Sequence, residues 1–205
     1  EDVRRALEGW RASKPPNLDE PLFHTRFVVI DIATSGPRAA DDGLLGISAV
    51  GLRKGAIVPE DAFALDLDNE EADEVDDAAV DRRLMAFLTY AAKAPLVTYH
   101  GPFVSGFLTR AFKERLGVDF QPQWIDLAWL LPSLFNEKSE VTVPLDDWLE
   151  TFGIAGNERR DTMANTLMLA RLFQMLLVRA TGRDLTTAGK LVEESQAATF
   201  LRRSH

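Results

Sequence analysis

Apolar positions along the chain follow two periods, and the switch between them divides it into elements. Val3, Ala6, Leu7 and Trp10 recur at spacings of three and four, which predicts a helix within residues 1–13. Pro15-Pro16 stops it, and residues 17–24 read as an extended connector. The run Phe27-Val28-Val29-Ile30-Asp31-Ile32-Ala33 is rich in β-branched residues and closes on Thr34-Ser35-Gly36-Pro37, so it predicts a strand buried on both faces. Residues 45–52 and 56–67 flank a Lys54-Gly55 turn and predict the next two strands of a meander. A helix over 79–92 follows, with Val80, Leu84, Phe87, Leu88 and Ala91 on one face and Asp76 or Asp77 as its N-cap. Pro95 separates it from a short buried strand over 96–99. Beyond the His100-Gly101-Pro102 turn the pattern predicts a helix over 103–116 ending at Gly117, a short apolar segment over 124–131, and a helix over 144–152 ended by Gly153. The strongest helical pattern covers 161–179, with Met163, Leu167, Ala170, Phe173 and Leu177 on its apolar face, and a more polar helix is expected over 185–201. Three strands, then alternating helices and strands, imply a sheet with helices on its faces.

Length and composition narrow this picture. The 205 residues suit one domain with extensions, divided as a helical arm and connector over 1–26, a body over 27–182 and a helical extension over 183–205. The absence of cysteine excludes a disulfide framework, thiolate metal sites and a cysteine nucleophile. No apolar run reaches the ~18–20 residues a membrane span needs, and a cytoplasmic location is expected. The formal net charge is -9, yet eleven acids lie between Glu60 and Asp81 with no Lys or Arg among them. Without that stretch the chain carries +2, so its acidity is local and reads as a solvated loop and helix start.

Three local patterns sit where chemistry is expected. Asp31-Ile32-Ala33-Thr34-Ser35-Gly36 leaves the first strand, Tyr99-His100-Gly101-Pro102-Phe103-Val104 joins a strand to a helix, and Arg160-Asp161-Thr162-Met163-Ala164-Asn165 opens the long helix. In this order, with Phe107-Leu108, Ile125-Asp126-Leu127 and residues 145–153 between them, they resemble the DEDDh branch of the 3'-5' exonucleases, and within it the proofreading epsilon subunits of bacterial DNA polymerase III. The resemblance spans residues 27–177 and implies an α/β, RNase H-like exonuclease fold. That fold has a central mixed sheet of about five strands flanked by helices, with N- and C-terminal helical extensions and a cleft at the first strand. The family reaction is phosphodiester hydrolysis by two Mg²⁺ or Mn²⁺ ions held by four carboxylates, with a histidine as general base.

Carried across, the resemblance fails at the functional positions. Asp31 is kept, but Ala33 stands for the glutamate of the first motif, Val104 for the aspartate of the second, and Arg160 and Asn165 for the histidine and aspartate of the third. One carboxylate and one guanidinium sum to about zero where the family places about four negative charges, and arginine does not act as a base near neutral pH. No cofactor or metal is therefore expected, and no intact catalytic set. Shifting the frame to use Asp161 would move the rest of the helix off its apolar face. Asp41, Asp42 and Asp126 are the nearby acids that a rescue of metal binding would have to use. Arg160 either pairs with Asp31 in place of metal or points to solvent.

Thr34, Ser35, His100 and Phe103 are the candidates for a substrate cleft, although a lone histidine at a strand–helix turn such as His100 is more often hydrogen-bonded scaffold than ligand. Neither Ser35 nor Ser105 has the context of a hydrolase nucleophile, His24 and His205 join no metal cluster, and Trp124, Trp129, Phe135, Trp148 and Phe152 are expected in the core. Three readings stand. One is an exonuclease fold acting without catalysis as a protein-binding or regulatory module, with a protein partner or a homodimer. The second is a remnant that binds single-stranded nucleic acid, and the third a working metal-dependent exonuclease.

Overall fold

A computed structural model describes residues 2–67, 76–154 and 161–203, the side chains of Arg202 and Arg203 excepted. Five strands form one sheet in the order β3-β2-β1-β4-β5: β1 (Phe27–Thr34), β2 (Leu44–Arg53), β3 (Ala56–Asp66), β4 (Leu96–Thr98) and β5 (Trp124–Asp126). The β1–β2–β3 meander is antiparallel, while β4 and β5 join the other side of β1 in parallel, so the sheet is mixed. Lys54 and Gly55 both have positive φ, the backbone twist that a two-residue hairpin turn requires. At the β2–β3 bulge a Cβ on residue 51 would lie 1.8 Å from Asp61 Oδ2, so glycine is needed there for the Asp61 carboxylate to cross the strand.

Alternation along β1 builds two cores. Phe27 and Val29 face one side, where they pack with Leu169, Phe173 and Leu176 of α6 (Thr162–Thr181), Phe27 and Phe173 meeting edge to face at 5.0 Å. Val28, Ile30 and Ile32 face the other side, against Leu84, Phe87 and Leu88 of α2 (Asp77–Ala91) and Phe107, Leu108 and Phe112 of α3 (Gly101–Leu116). The strand is therefore buried on both faces over Phe27–Ile30, as its β-branched run predicts. Of the aromatics expected in the core, Phe135 and Trp148 are buried, while Trp124, Trp129 and Phe152 are partly buried against it.

The segments outside the sheet are tied to it. In α1 (Asp2–Ala12) the Trp10 indole N–H donates to Ala92 O at 2.9 Å, and Lys93 Nζ sits over the Trp10 ring. The connector pairs with the turn before α7 (Ala188–Arg203) through the Leu22 N–H to Thr186 O and the Gly189 N–H to Leu18 O, both 2.9 Å. On α7, the buried Ser195 hydroxyl accepts the Asp126 N–H at 2.9 Å.

Boundaries shift where caps decide them. Asp76 accepts the Ala79 N–H, so α2 begins two residues earlier than the apolar pattern indicates. The expected 124–131 segment divides into β5 and α4 (Leu127–Leu134), because the Asp126 carboxylate caps a helix directly after the strand. A further short helix, α5 (Leu145–Thr151), follows. No helix among the described residues is long and apolar enough to cross a membrane.

Candidate functional site

The site implied by the three motifs lies at the C-terminal end of β1. Asp31 and Ala33 share the face that carries Phe27 and Val29, since alternate residues of a strand point the same way. That face is covered by α6, whose N-cap is Asp161: its carboxylate accepts the Ala164 N–H at 2.7 Å. Asp161 is thereby committed to its own helix, and Asn165, one turn on, is the α6 residue that meets Asp31. Asn165 Nδ2 donates to Asp31 Oδ2 at 3.1 Å. Two residues 134 positions apart, both picked out by the motif frame, are in direct contact.

Burial pushes the Asp31 carboxyl above the ordinary carboxylate range, opposed by the Asn165 amide and the Ile32 backbone N–H. An amide in place of a carboxylate is a suitable partner for such a group: it satisfies one oxygen without adding a second negative charge. The other two positions bring no oxygen. Ala33 is half-buried, and Val104, at 1 % exposed, packs with Phe107 and Leu108 in the core on the α2/α3 face. Arg160, and with it a pairing to Asp31, lies outside the described residues, as do Arg159, His205 and five acids of the stretch between Glu60 and Asp81.

Thr34 and Ser35 are occupied by the turn that follows β1. The Thr34 hydroxyl donates to Gly36 O at 2.9 Å and Ser35 Oγ accepts the Gly43 N–H at 2.8 Å. Asp42, an acid considered for rescue, accepts the Arg38 N–H at 2.7 Å in the same loop, and Asp41 pairs with Arg38 at 3.5 Å. His100 has a left-handed backbone, φ 63°, at the N-cap of α3, and its N–H donates to Asp126 Oδ1 at 3.0 Å. Its ring stands edge-on to Tyr99, whose hydroxyl donates to Val143 O. Phe103 is 39 % exposed and leans edge-on against Phe107.

Asp126 carries more structure than its sequence context signals. One carboxylate oxygen accepts from both His100 N and Ala128 N, so it holds the α3 turn and starts α4 at once. Burial pushes its carboxyl up, opposed by the backbone N–H groups of Gly101 and Ala128. The signal for this role is an aspartate at a strand end directly before a helical apolar run.

The pair of divalent ions that the resemblance implies needs several converging carboxylates. The donor set does not meet that need: Asp31 is one carboxylate with one oxygen held by an amide N–H, and its motif neighbours are a methyl and an isopropyl group. Among the described residues no three His, Asp or Glu side chains are grouped to hold a metal ion.

No protein-family model matches the sequence, and no curated protein matches it. Solved structures do. The chain is similar to E. coli Exonuclease I in complex with a dT13 oligonucleotide, at TM-score 0.58 and 15 % identity over 77 % of this chain and 42 % of that one. It is similar to the zinc-bound form of the E. coli Exonuclease I–ssDNA complex at TM-score 0.59 and 14 % identity, over 76 % and 41 % of the two chains. Brucella melitensis NrnC bound to pGG aligns at TM-score 0.52 and 16 % identity, over 91 % of this chain and 85 % of that one. The fold is exonuclease-like. The chain spans about two fifths of the Exonuclease I chains it matches.

Proposed function

We propose that this exonuclease-fold chain has lost metal-dependent phosphodiester cleavage and works as a protein-binding or regulatory module. The observation that carries this reading is the Asn165–Asp31 hydrogen bond. It joins the remaining acid of the first motif to the amide that replaces the acid of the third, in the frame the motifs predict. A cation at Asp31 would compete with an N–H donor and would meet no second carboxylate from Ala33 or Val104. The loss is thus one of charge as well as of geometry. The family's two dications would face about one negative charge from these positions, and Arg160 would bring a positive one.

Support for a binding role comes from the periphery. In the proposed organisation of arm 1–26, body 27–182 and extension 183–205, the extension offers Phe200 and Leu201, 72 % and 62 % exposed, as a surface for a protein partner or a second copy. A reading as a nucleic-acid-binding remnant is favoured by Phe103, exposed beside His100 where the cleft would lie, and by the oligonucleotide in the Exonuclease I complex.

The test is degradation of end-labelled single-stranded DNA and RNA with Mg²⁺ or Mn²⁺. The expected result is no cleavage above background and no change on Asp31→Ala. Metal-dependent cleavage that Asp31→Ala abolishes overturns the proposal. In the same samples, salt-sensitive retention of uncleaved strand identifies the nucleic-acid-binding form.

A further inference from the structure

At the opposite end of β1 from Asp31, a cavity of about 270 Å³ opens between the connector, the end of β2 and the turn from α2 to β4. Its size sits just below the range typical of ligand sites, roughly 300–1,000 Å³, which suits a small ligand. Four cationic side chains line it, Lys14, Arg26, Arg53 and Lys93, against one carboxylate, Glu20.

The hydrogen-bond balance gives the cavity its chemistry. Arg26 is fixed: it forks onto Asp61 through Nε and Nη2 at 2.8 and 2.9 Å and donates to Tyr90 O and Ala91 O. Those contacts use four of the five N–H groups of a guanidinium. Lys93 Nζ is held by Ser13 O and Arg11 O, which uses two of the three donors of an ammonium. The side chains of Lys14 and Arg53 are exposed and make no hydrogen bond or ion pair among the described residues, Arg53 acting on Asp61 at longer range. Thr25 also lines the cavity. It is 5 % exposed, and its hydroxyl has no hydrogen-bond partner among the described residues. An orphaned buried hydroxyl is a cost to a protein that uses it for nothing. The wall is therefore rich in donors, with Arg26 and Lys93 held in place and one N–H of each to spare.

We propose that this cavity is a binding site for a phosphate group carried by a small ester or by the terminus of an oligonucleotide. Phosphate oxygens accept hydrogen bonds and donate none at full ionisation, which complements the donor excess. Arg53 supplies a guanidinium fork of the kind that grips phosphate in two places. The site is independent of the Asp31 end, and its binding is read without reference to cleavage.

The test is calorimetric titration of the full chain at low salt with inorganic phosphate, then with a short oligonucleotide carrying or lacking a 5'-phosphate. Saturable phosphate binding is expected, weakened at least tenfold by Arg53→Gln and by Thr25→Val. Arg171→Gln, a change at an exposed position on α6, is expected to leave it unaltered. Thr25→Val is also expected to leave Tm unchanged or raised, because it removes an unsatisfied group. Tighter binding of the phosphorylated oligonucleotide than of its unphosphorylated twin assigns the strand terminus as the source, and equal affinity of the two assigns the free ester. Absence of saturable phosphate binding overturns the proposal. So does an equal loss in Arg171→Gln, or a Thr25→Val variant that loses stability while keeping its phosphate affinity.

Discussion

The two ends of β1 handle charge in opposite ways. At the Asp31 end a buried carboxylate is met by a neutral amide, and two positions that resemble metal ligands carry hydrocarbon. β3 ends there at Asp66, opposite Gly46, which itself lies opposite Ala33. At the Arg26 end cations outnumber carboxylates, and the Arg26 guanidinium over the Tyr90 ring is locked by Asp61 with donors left over. The net charge of -9 describes neither end. What a site can hold depends on how many donors and acceptors remain after the fold has satisfied itself, and that balance has opposite signs at the two poles of one strand.

The largest expected effect comes from forcing the Asp31 end back toward the motif it resembles. Val104 is 1 % exposed and packs among apolar side chains, so Val104→Asp buries a carboxylate with no partner there. Such a change is expected to cost about 3 kcal/mol or more, lowering Tm by roughly 6–12 °C for a domain of this size. Thermal denaturation with and without Mg²⁺ reads it directly. A variant as stable as the wild type, or one whose Tm Mg²⁺ restores, would show a latent metal site and erase the contrast between the two ends.

A smaller effect is expected at the cationic end. The Arg26–Asp61 pair is mostly buried, with side chains 17 % and 25 % exposed. Hydrogen bonding to Arg26 holds the Asp61 carboxyl below the ordinary range, and Asp61 in turn raises the Arg26 guanidinium. Burial beside Asp61 pushes the Tyr90 hydroxyl up to about 12. Arg26→Met removes the hydrogen bond to each Asp61 carboxylate oxygen and is expected to cost on the order of 2 kcal/mol at pH 7, between the values for exposed and buried pairs. Because the folded carboxyl is depressed, the pair's contribution is present above about pH 4, where the unfolded carboxylate is ionised, and is lost as pH falls through the depressed value. Urea midpoints from pH 7 down to pH 2 should therefore show the wild type and Arg26→Met converging on the acid side. A constant gap across that range would mean that Arg26 acts by packing alone.

The two ends differ as much in how far the sequence reveals them. The meander was legible because Lys54-Gly55 marks its hairpin and the β1 run is rich in β-branched residues. The motif spacing singles out Asp31 and Asn165 separately, and only the fold brings them to 3.1 Å. Helix α4 was not legible, because it starts without a break after β5 and only the Asp126 cap separates them. The cavity at the Arg26 end had no signal at all. Its wall comes from residues 14–26, 53 and 92–94, so no window of sequence contains it. The partner that fixes Arg26 lies 35 positions away on the far side of a bulge. Thr25 reads as an ordinary residue before a strand until its hydroxyl is found buried without a partner.

The smallest effect, and the one with the most telling sign, is that of Asp31→Asn. Burial raises the Asp31 carboxyl, so the native state takes up a proton more readily there than the unfolded chain does. A raised folded value means that the contribution to stability is fully present below the unfolded carboxylate range near ~3.9 and is lost as pH rises through the folded value. At pH 7 the ionised group is therefore a net cost, and an uncharged isostere beside Asn165 is expected to raise Tm by about 2–4 °C, corresponding to about 1 kcal/mol. The gain should shrink as pH falls and vanish below pH ~4. A lower Tm for Asp31→Asn at pH 7 would mean that a cation compensates the carboxylate, a role that Arg160 or a bound divalent ion would have to fill. The Asp31 end would then be a charged site like its opposite pole, with the signs exchanged.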